Sequence, residues 1–109
     1  MLDPKTTNPL ADMRTRAGAI RAAGSLEQAL DKGLQKVIEV TLSEALVLGL
    51  LKQGVRKYFA IFGHGSTDLG NVLRVYEEEG VTRTINCRNE VEMAHAATEL
   101  RWQYGEISA

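Results

Sequence analysis

Apolar and polar positions alternate with two different periods along the chain. In three segments the apolar residues recur every three to four positions, as they do in helices that bury one face. Two further helices are indicated by capping boxes that begin at Ser25 and Thr41, and the second of them is apolar on more than one side, so we expect it to be well buried. Two shorter stretches, "KYFAIF" and "VTRTINC", are continuously apolar or rich in β-branched residues, which is typical of strands in a parallel sheet. The pattern therefore predicts helices over residues 10–23, 25–34, 41–53, 69–79 and 89–104, strands over 57–62 and 81–87, and the start of a third strand at 106–109.

The order of these elements predicts an α/β fold. From residue 41 onward helices and strands alternate with short connections, which implies a parallel sheet with helices on both faces. Residues 1–40 are predicted to form a helical N-terminal extension without identifiable chemistry, which we interpret as packing on a neighbouring domain or subunit. Residues 41–109 are then the first part of the sheet domain. Because three short strands leave sheet edges unpaired, we expect the chain to be the N-terminal fragment of a longer polypeptide.

Composition limits the partners that this chain of 109 residues is expected to have. Its formal net charge is −1, which gives no electrostatic reason to expect nucleic acid or an anionic membrane surface as a partner. No apolar run approaches the roughly 20 residues of a membrane span. The single cysteine, Cys87, excludes an internal disulfide and a four-cysteine metal site. We therefore expect a cytoplasmic protein that binds neither nucleic acid nor a membrane.

The helix predicted from Asn89 carries an acidic residue beside its apolar face. On a helical projection Ala97 lies about 20° and Met93 about 60° from Glu90. Asn89 and Glu92 already supply the N-cap and the capping box, so the helix does not need Glu90 to begin. A carboxyl group shielded from water at the carboxyl end of a parallel strand could hold or pass a proton near neutral pH. The alternative is structural, because any acid in the first turn favours the helix dipole.

A histidine between two glycines follows the first predicted strand. In "FGHGS", Gly63 and Gly65 allow positive φ and a close approach of a ligand to the backbone, while His64 offers a group that titrates near neutrality. A tight turn from strand to helix needs the same glycines without any ligand, and neither common phosphate-binding glycine motif is present. The two histidines and Cys87 do not have the spacing of metal ligands, so no metal ligand is assigned in this chain.

The motifs together resemble one enzyme family. A strand ending in "IFGHG" and a helix beginning with "RNEVEMAHAA" resemble the N-terminal, pyrimidine-binding domain of thiamine-diphosphate-dependent enzymes of the acetolactate synthase type. The asparagine before the glutamate and the histidine in the glycine turn look closest to the trihydroxycyclohexane-dione hydrolases. The resemblance covers roughly residues 40–109, and it implies a flavodoxin-like fold.

The resemblance also implies roles for particular residues. Glu90 corresponds to the glutamate that hydrogen-bonds the aminopyrimidine ring of thiamine diphosphate and activates the cofactor for attack on a carbonyl carbon. Gly63 and Gly65 would lie beside the cofactor, and His64 beside a small-molecule carbonyl substrate. In such enzymes another domain, usually of a second subunit, binds the diphosphate and its Mg²⁺ through Gly-Asp-Gly and Asn-Asn segments that this sequence lacks. The resemblance thus implies a homo-oligomer, a dimer or tetramer, joined through the cofactor site, and an inactive isolated chain.

Two classes of function stay open at this point. The first is an enzyme that makes or cleaves a C–C bond next to a carbonyl, in which acyl transfer to a 2-oxo acid and hydrolysis of a cyclic dione are not separated. The second is a non-catalytic α/β module that binds a partner through its N-terminal helices, because an open α/β sheet supports many functions.

Overall fold

Residues 9–109 are described by the computed structural model, and the first eight residues of the predicted extension lie outside this range. The described chain has an α/β fold with five helices and a two-stranded parallel sheet. The elements are α1 (Pro9–Ala23), α2 (Leu26–Asp31), α3 (Leu42–Lys52), β1 (Lys57–Ala60), a 3₁₀ turn (His64–Ser66), α4 (Thr67–Glu78), β2 (Arg83–Asn86) and α5 (Glu90–Tyr104). None of these helices is both long enough and apolar enough to cross a membrane.

Three helices begin at the cap residues that the sequence predicts. In each, the side-chain oxygen of an extended residue accepts the N–H of the residue three positions later, which satisfies a free donor of the first turn. The pairs are Ser25–Gln28, Thr41–Glu44 and Asn89–Glu92, at 3.2, 3.2 and 2.9 Å. The prediction for α2 extends too far: the helix ends at Asp31 rather than Leu34, because the chain turns at Gly33 with a φ of +104°.

The two strands pair in parallel, from Lys57 opposite Arg83 to Ala60 opposite Asn86. β1 stops two residues before its predicted end at Phe62, because β2 ends at Asn86 and offers no further partner. On the other side of β1, Ser108 forms a parallel bridge with Lys57. The N–H of Phe59 donates to the carbonyl of Ala109 at 2.9 Å. Residues 108 and 109 therefore pair with β1 where a third strand is predicted to start, but as an isolated bridge rather than a strand, and β1 lies between β2 and this last segment.

The N-terminal helices share one hydrophobic core with the sheet-bearing part of the chain. α1 contacts α4, and α2 contacts α3. The core residues are Met13, Ala17, Ile20, Leu26, Ala29, Val47, Leu51, Val55, Tyr58, Val72, Leu73, Val75, Tyr76 and Val81. The interpretation of residues 1–40 as an extension that packs on a neighbouring domain or subunit stays a prediction, and within the described residues the apolar faces of α1 and α2 pack against the rest of this chain.

An ion pair is buried where α1, α3 and α4 meet. Arg16 Nε donates to Glu44 Oε1 at 2.8 Å and Nη2 donates to Oε2 at 3.1 Å, while the Tyr76 hydroxyl donates to Oε1 at 2.9 Å. The hydrogen bond to Glu44 raises the pKa of Arg16, and burial raises the pKa of Tyr76. Because its carboxylate turns inward, Glu44 does not return a hydrogen bond to the Thr41 N–H, and the predicted capping box is half formed.

Two of the helices, α3 and α5, are less buried than their apolar residues suggest. α3 was expected to be well buried, yet Leu42 is 88% exposed and Leu46 50% exposed. No side chain of α5 is buried, although Met93 and Leu100 are half covered. Burial is therefore concentrated in the layer of α1, α2, α3 and α4, and the face of the molecule that carries α5 is loosely covered.

Candidate functional site

The parallel pairing brings the two sequence motifs to one edge of the sheet. Ala60 lies opposite Asn86 at the carboxyl ends of β1 and β2. One residue further, the Cys87 N–H donates to the Ala60 carbonyl at 3.0 Å. The glycine turn therefore leaves β1 beside the point where the chain leaves β2 toward α5. In open α/β sheets, this carboxyl edge is where ligands bind.

The glycine turn is closed by short-range hydrogen bonds. The Gly63 N–H donates to Ser66 Oγ at 3.0 Å, and the same hydroxyl donates to the Gly63 carbonyl at 3.1 Å. Thr67 Oγ1 donates to the carbonyl of His64 at 3.2 Å. The imidazole of His64 is exposed and has no hydrogen-bond partner among residues 9–109, so the turn presents it to solvent.

Neither glycine of the turn uses the backbone freedom that the sequence suggests. Gly63 has a φ of −115°, and Gly65 is absent from the glycines with positive φ. A Cβ at either position would meet no atom of residues 9–109 within 4 Å. The turn therefore does not use the positive φ that glycine allows, and the space above both residues leaves room for the close approach of a ligand.

A shallow depression of about 480 Å³ lies beside the turn. Its lining residues are Phe62, Gly63, His64, Thr67, Gly70 and Asn71. Sequence reasoning missed Thr67 and Asn71. A usable signal existed, because polar side chains in the first two turns of a helix that follows a strand project toward the same carboxyl edge.

Glu90 is the first residue of α5 and is exposed. Its carboxylate makes no hydrogen bond or ion pair with the described residues, and it does not line the depression beside His64. The expectation that this carboxylate is withdrawn from water is therefore wrong for the described chain. The physical reason is that the half-covered side chains of α5 leave the flank of the helix open. Glu92 does act in capping, but its carboxylate accepts the Arg88 N–H at 3.2 Å rather than that of Asn89.

The other titratable candidates do not join the site. His95 is exposed on α5, and Cys87 is a half-buried free thiol whose sulfur lies 3.8 Å from the Ile85 carbonyl. Within residues 9–109, no group of three or more His, Cys, Asp or Glu side chains is arranged to hold a metal ion. Larger depressions lie elsewhere, one of about 710 Å³ between α1 and residues 34–39 and one of about 630 Å³ beside α5.

Glu90 and His64 thus lie at one edge of the sheet, exposed and without hydrogen-bond partners in the part of the chain that the structure describes, rather than in an enclosed cleft. Such an arrangement can bind and exchange protons with a ligand that another surface covers, because the chain itself excludes no water there. No family model, curated protein or solved structure matches this chain.

Proposed function

We propose that this chain is the N-terminal, pyrimidine-binding part of a thiamine-diphosphate-dependent enzyme that makes or cleaves a C–C bond next to a carbonyl. The fold would be flavodoxin-like, and the reaction of the acetolactate synthase or cyclic-dione hydrolase type. The observation that carries the proposal is the alignment of Ala60 with Asn86, because it puts the "FGHG" turn and the start of α5 at one carboxyl edge. A strand order with β1 between β2 and the last segment also supports it.

The residues at this edge fit part of the cofactor. An unpaired carboxylate on Glu90 can share a proton with a ring nitrogen of an aminopyrimidine, and the helix N-terminus keeps an anion there favourable. The open space above Gly63 and Gly65 leaves room for a flat group. Within the described residues no cationic side chain lines the depression beside His64, so the diphosphate and Mg²⁺ would be held by another domain.

When bound, thiamine diphosphate supplies an electron sink for carbon next to a carbonyl. Glu90 would hold and return the proton that the aminopyrimidine ring exchanges. His64 would hydrogen-bond the oxygen of a small-molecule carbonyl substrate or carry a proton to it. The exclusion of water, which the described chain does not provide at Glu90, would come from a second copy, so we propose a dimer or tetramer joined through this site.

The test compares two glutamates of α5 in the enzyme that contains this chain. Glu90→Gln keeps the size and removes the titratable carboxyl, and we expect it to slow turnover and the exchange of the cofactor C2 proton for deuterium by about 10²–10⁴-fold. Glu99→Gln, at an exposed position on the same helix, is the matched control and should leave both rates unchanged. Exchange and turnover of Glu90→Gln near the wild-type values would contradict the proposal.

The rival function, a module that binds a partner through its N-terminal helices, has less support. The apolar face of α1, formed by Met13, Ala17 and Ile20, is buried in the core of the same chain. A partner that docked on that face would have to displace it from α4. If thiamine diphosphate and Mg²⁺ failed to bind to the whole enzyme that contains this chain, the non-catalytic interpretation would be favoured.

A further inference from the structure

The side chain that precedes the glycine turn rests on the helix that follows it. Phe62 comes after β1, and Gly70 is the fourth residue of α4. A Cβ built on Gly70 would lie 3.4, 3.5 and 3.7 Å from Cδ1, Cε1 and Cγ of the Phe62 ring. These are van der Waals distances, so the ring lies against the helix at the one position where no side chain intervenes. Phe62 is still 42% exposed, and it lines the depression beside His64.

We propose that Phe62 is a positioning residue, whose ring, seated on Gly70, fixes the turn that presents His64. The role of this contact in presenting His64 to a substrate rests on the proposed function. The contact between the Phe62 ring and Gly70 does not depend on it.

The hydrogen bonds of the turn cannot hold it in place relative to the helix by themselves. They join Gly63 to Ser66 and His64 to Thr67, each across three positions, and all of them are exposed to water. Exposed short-range hydrogen bonds compete with water and open readily. The contact between Phe62 and Gly70 spans eight positions and is apolar, so it ties the exit of β1 to the body of α4.

The space between Gly70 and the Phe62 ring limits the size of a side chain at this position, so substitutions of increasing size test the proposal. An alanine methyl at this position would just reach van der Waals contact with the ring. A valine adds two carbons beyond that methyl, and its side-chain angle is nearly fixed in a helix, so these carbons have little freedom to turn away from the ring. Gly70→Ala should therefore preserve the contact with the Phe62 ring, whereas Gly70→Val should displace the ring and make the glycine turn more mobile.

Gly49 offers a matched control, because it is an exposed helical glycine and a Cβ there would meet none of the described residues within 4 Å. The measurements are NMR spectra of the full 109-residue chain: amide hydrogen exchange at Gly63 and Ser66, and the imidazole resonances of His64. We expect Gly70→Val to accelerate exchange at these amides severalfold and to shift the imidazole signals. Gly70→Ala, Gly49→Ala and Gly49→Val should leave both close to wild type.

A second pair of variants changes the ring and leaves the helix intact. Phe62→Leu removes the flat ring and should reproduce the effect of Gly70→Val, whereas Phe62→Tyr keeps the ring and should restore wild-type exchange and His64 signals. If Gly70→Val does not fold, the Phe62 pair carries the test. Equal exchange rates and imidazole signals in Phe62→Leu and Phe62→Tyr would overturn the proposal. None of these measurements uses thiamine diphosphate. Failure of the proposed role of Phe62 can therefore be distinguished from failure of the cofactor assignment.

Discussion

Replacing Arg16 with methionine would leave the Glu44 carboxylate buried with the Tyr76 hydroxyl as its remaining hydrogen-bond donor. The Glu44 side chain is 3% exposed and that of Arg16 13% exposed. Methionine is similar in length to the aliphatic part of arginine and has a similar helix propensity, so the change mainly removes the guanidinium. The perturbation thus isolates the loss of the counter-charge that α1 supplies to α3.

The structure sets the expected size of the effect. Removing one partner from a buried ion pair typically costs 3–5 kcal/mol, because the other charge stays buried without compensation. Since water reaches part of Arg16, we expect the lower end, about 3 kcal/mol. The free energy of unfolding of native proteins is about 5–15 kcal/mol, so this single change should remove a large share of the stability. Glu44→Gln added to Arg16→Met should recover much of the loss, because no buried charge remains.

The assay is urea unfolding of the wild type, the two single variants and the double variant. A double-mutant cycle for Arg16 and Glu44 is expected to give a coupling energy of about 2–3 kcal/mol. The pair Lys57 and Glu106 is the control, at 2.9 Å and with side chains 37% and 34% exposed. Its coupling energy should be about 0.2–1 kcal/mol, as for other solvent-exposed pairs. A cycle for the buried pair no larger than the control cycle would refute the reasoning.

The two buried tyrosines should respond differently to loss of the hydroxyl. Tyr58→Phe should be neutral or slightly stabilising in urea unfolding, since that hydroxyl has no hydrogen-bond partner among residues 9–109. Tyr76→Phe should lower the free energy of unfolding by about 1.5–3 kcal/mol, because its hydroxyl donates to the buried Glu44 carboxylate. Burial raises the pKa of Tyr58 from 10.0 to about 12. The folded state therefore holds the Tyr58 proton more tightly than the unfolded state does. The contribution of this group to the free energy of unfolding is fully present below pH 10.0 and is lost as the pH rises toward 12. Alkaline unfolding of the wild type compared with Tyr58→Phe would show this loss. Gly80→Ala should lower the thermal midpoint, because φ is +76° and the added Cβ would lie 3.1 Å from Arg21 Nε. Gly49→Ala in an open helix should raise the midpoint by the equivalent of up to about 1 kcal/mol.

Features with a local cause were predictable from the sequence. The caps at Ser25, Thr41 and Asn89 depend on contacts three residues apart, so their signals lie within one short stretch. The same holds for the buried stripe of α4, where Val72, Leu73 and Tyr76 follow the helical period. The parallel pairing followed from the alternation of elements, because strands joined through a helix run in the same direction.

Features set by distant parts of the chain were not predictable. A helical projection gives the angle of Glu90 on α5, but it does not say what covers that side, and in the described chain nothing does. Glu44 matches a capping box locally, yet the guanidinium of Arg16, which lies 28 positions earlier in the chain, draws its carboxylate inward. The end of β1 at Ala60 likewise depends on where β2 stops. Of the candidate site, the shared sheet edge was predicted, and the solvent exposure of its side chains was not.

The sparse burial of α5 makes local order and ligand occupancy thermodynamically linked. A helix without a fully buried side chain opens at a lower free energy than α4, whose inner face is in the core. A molecule that bound at Glu90 would therefore use part of its contact energy to hold the helix closed, and its apparent affinity would understate the strength of those contacts. Occupancy should then register as slower amide exchange along the whole of α5, while α1 and α4 stay as protected as before.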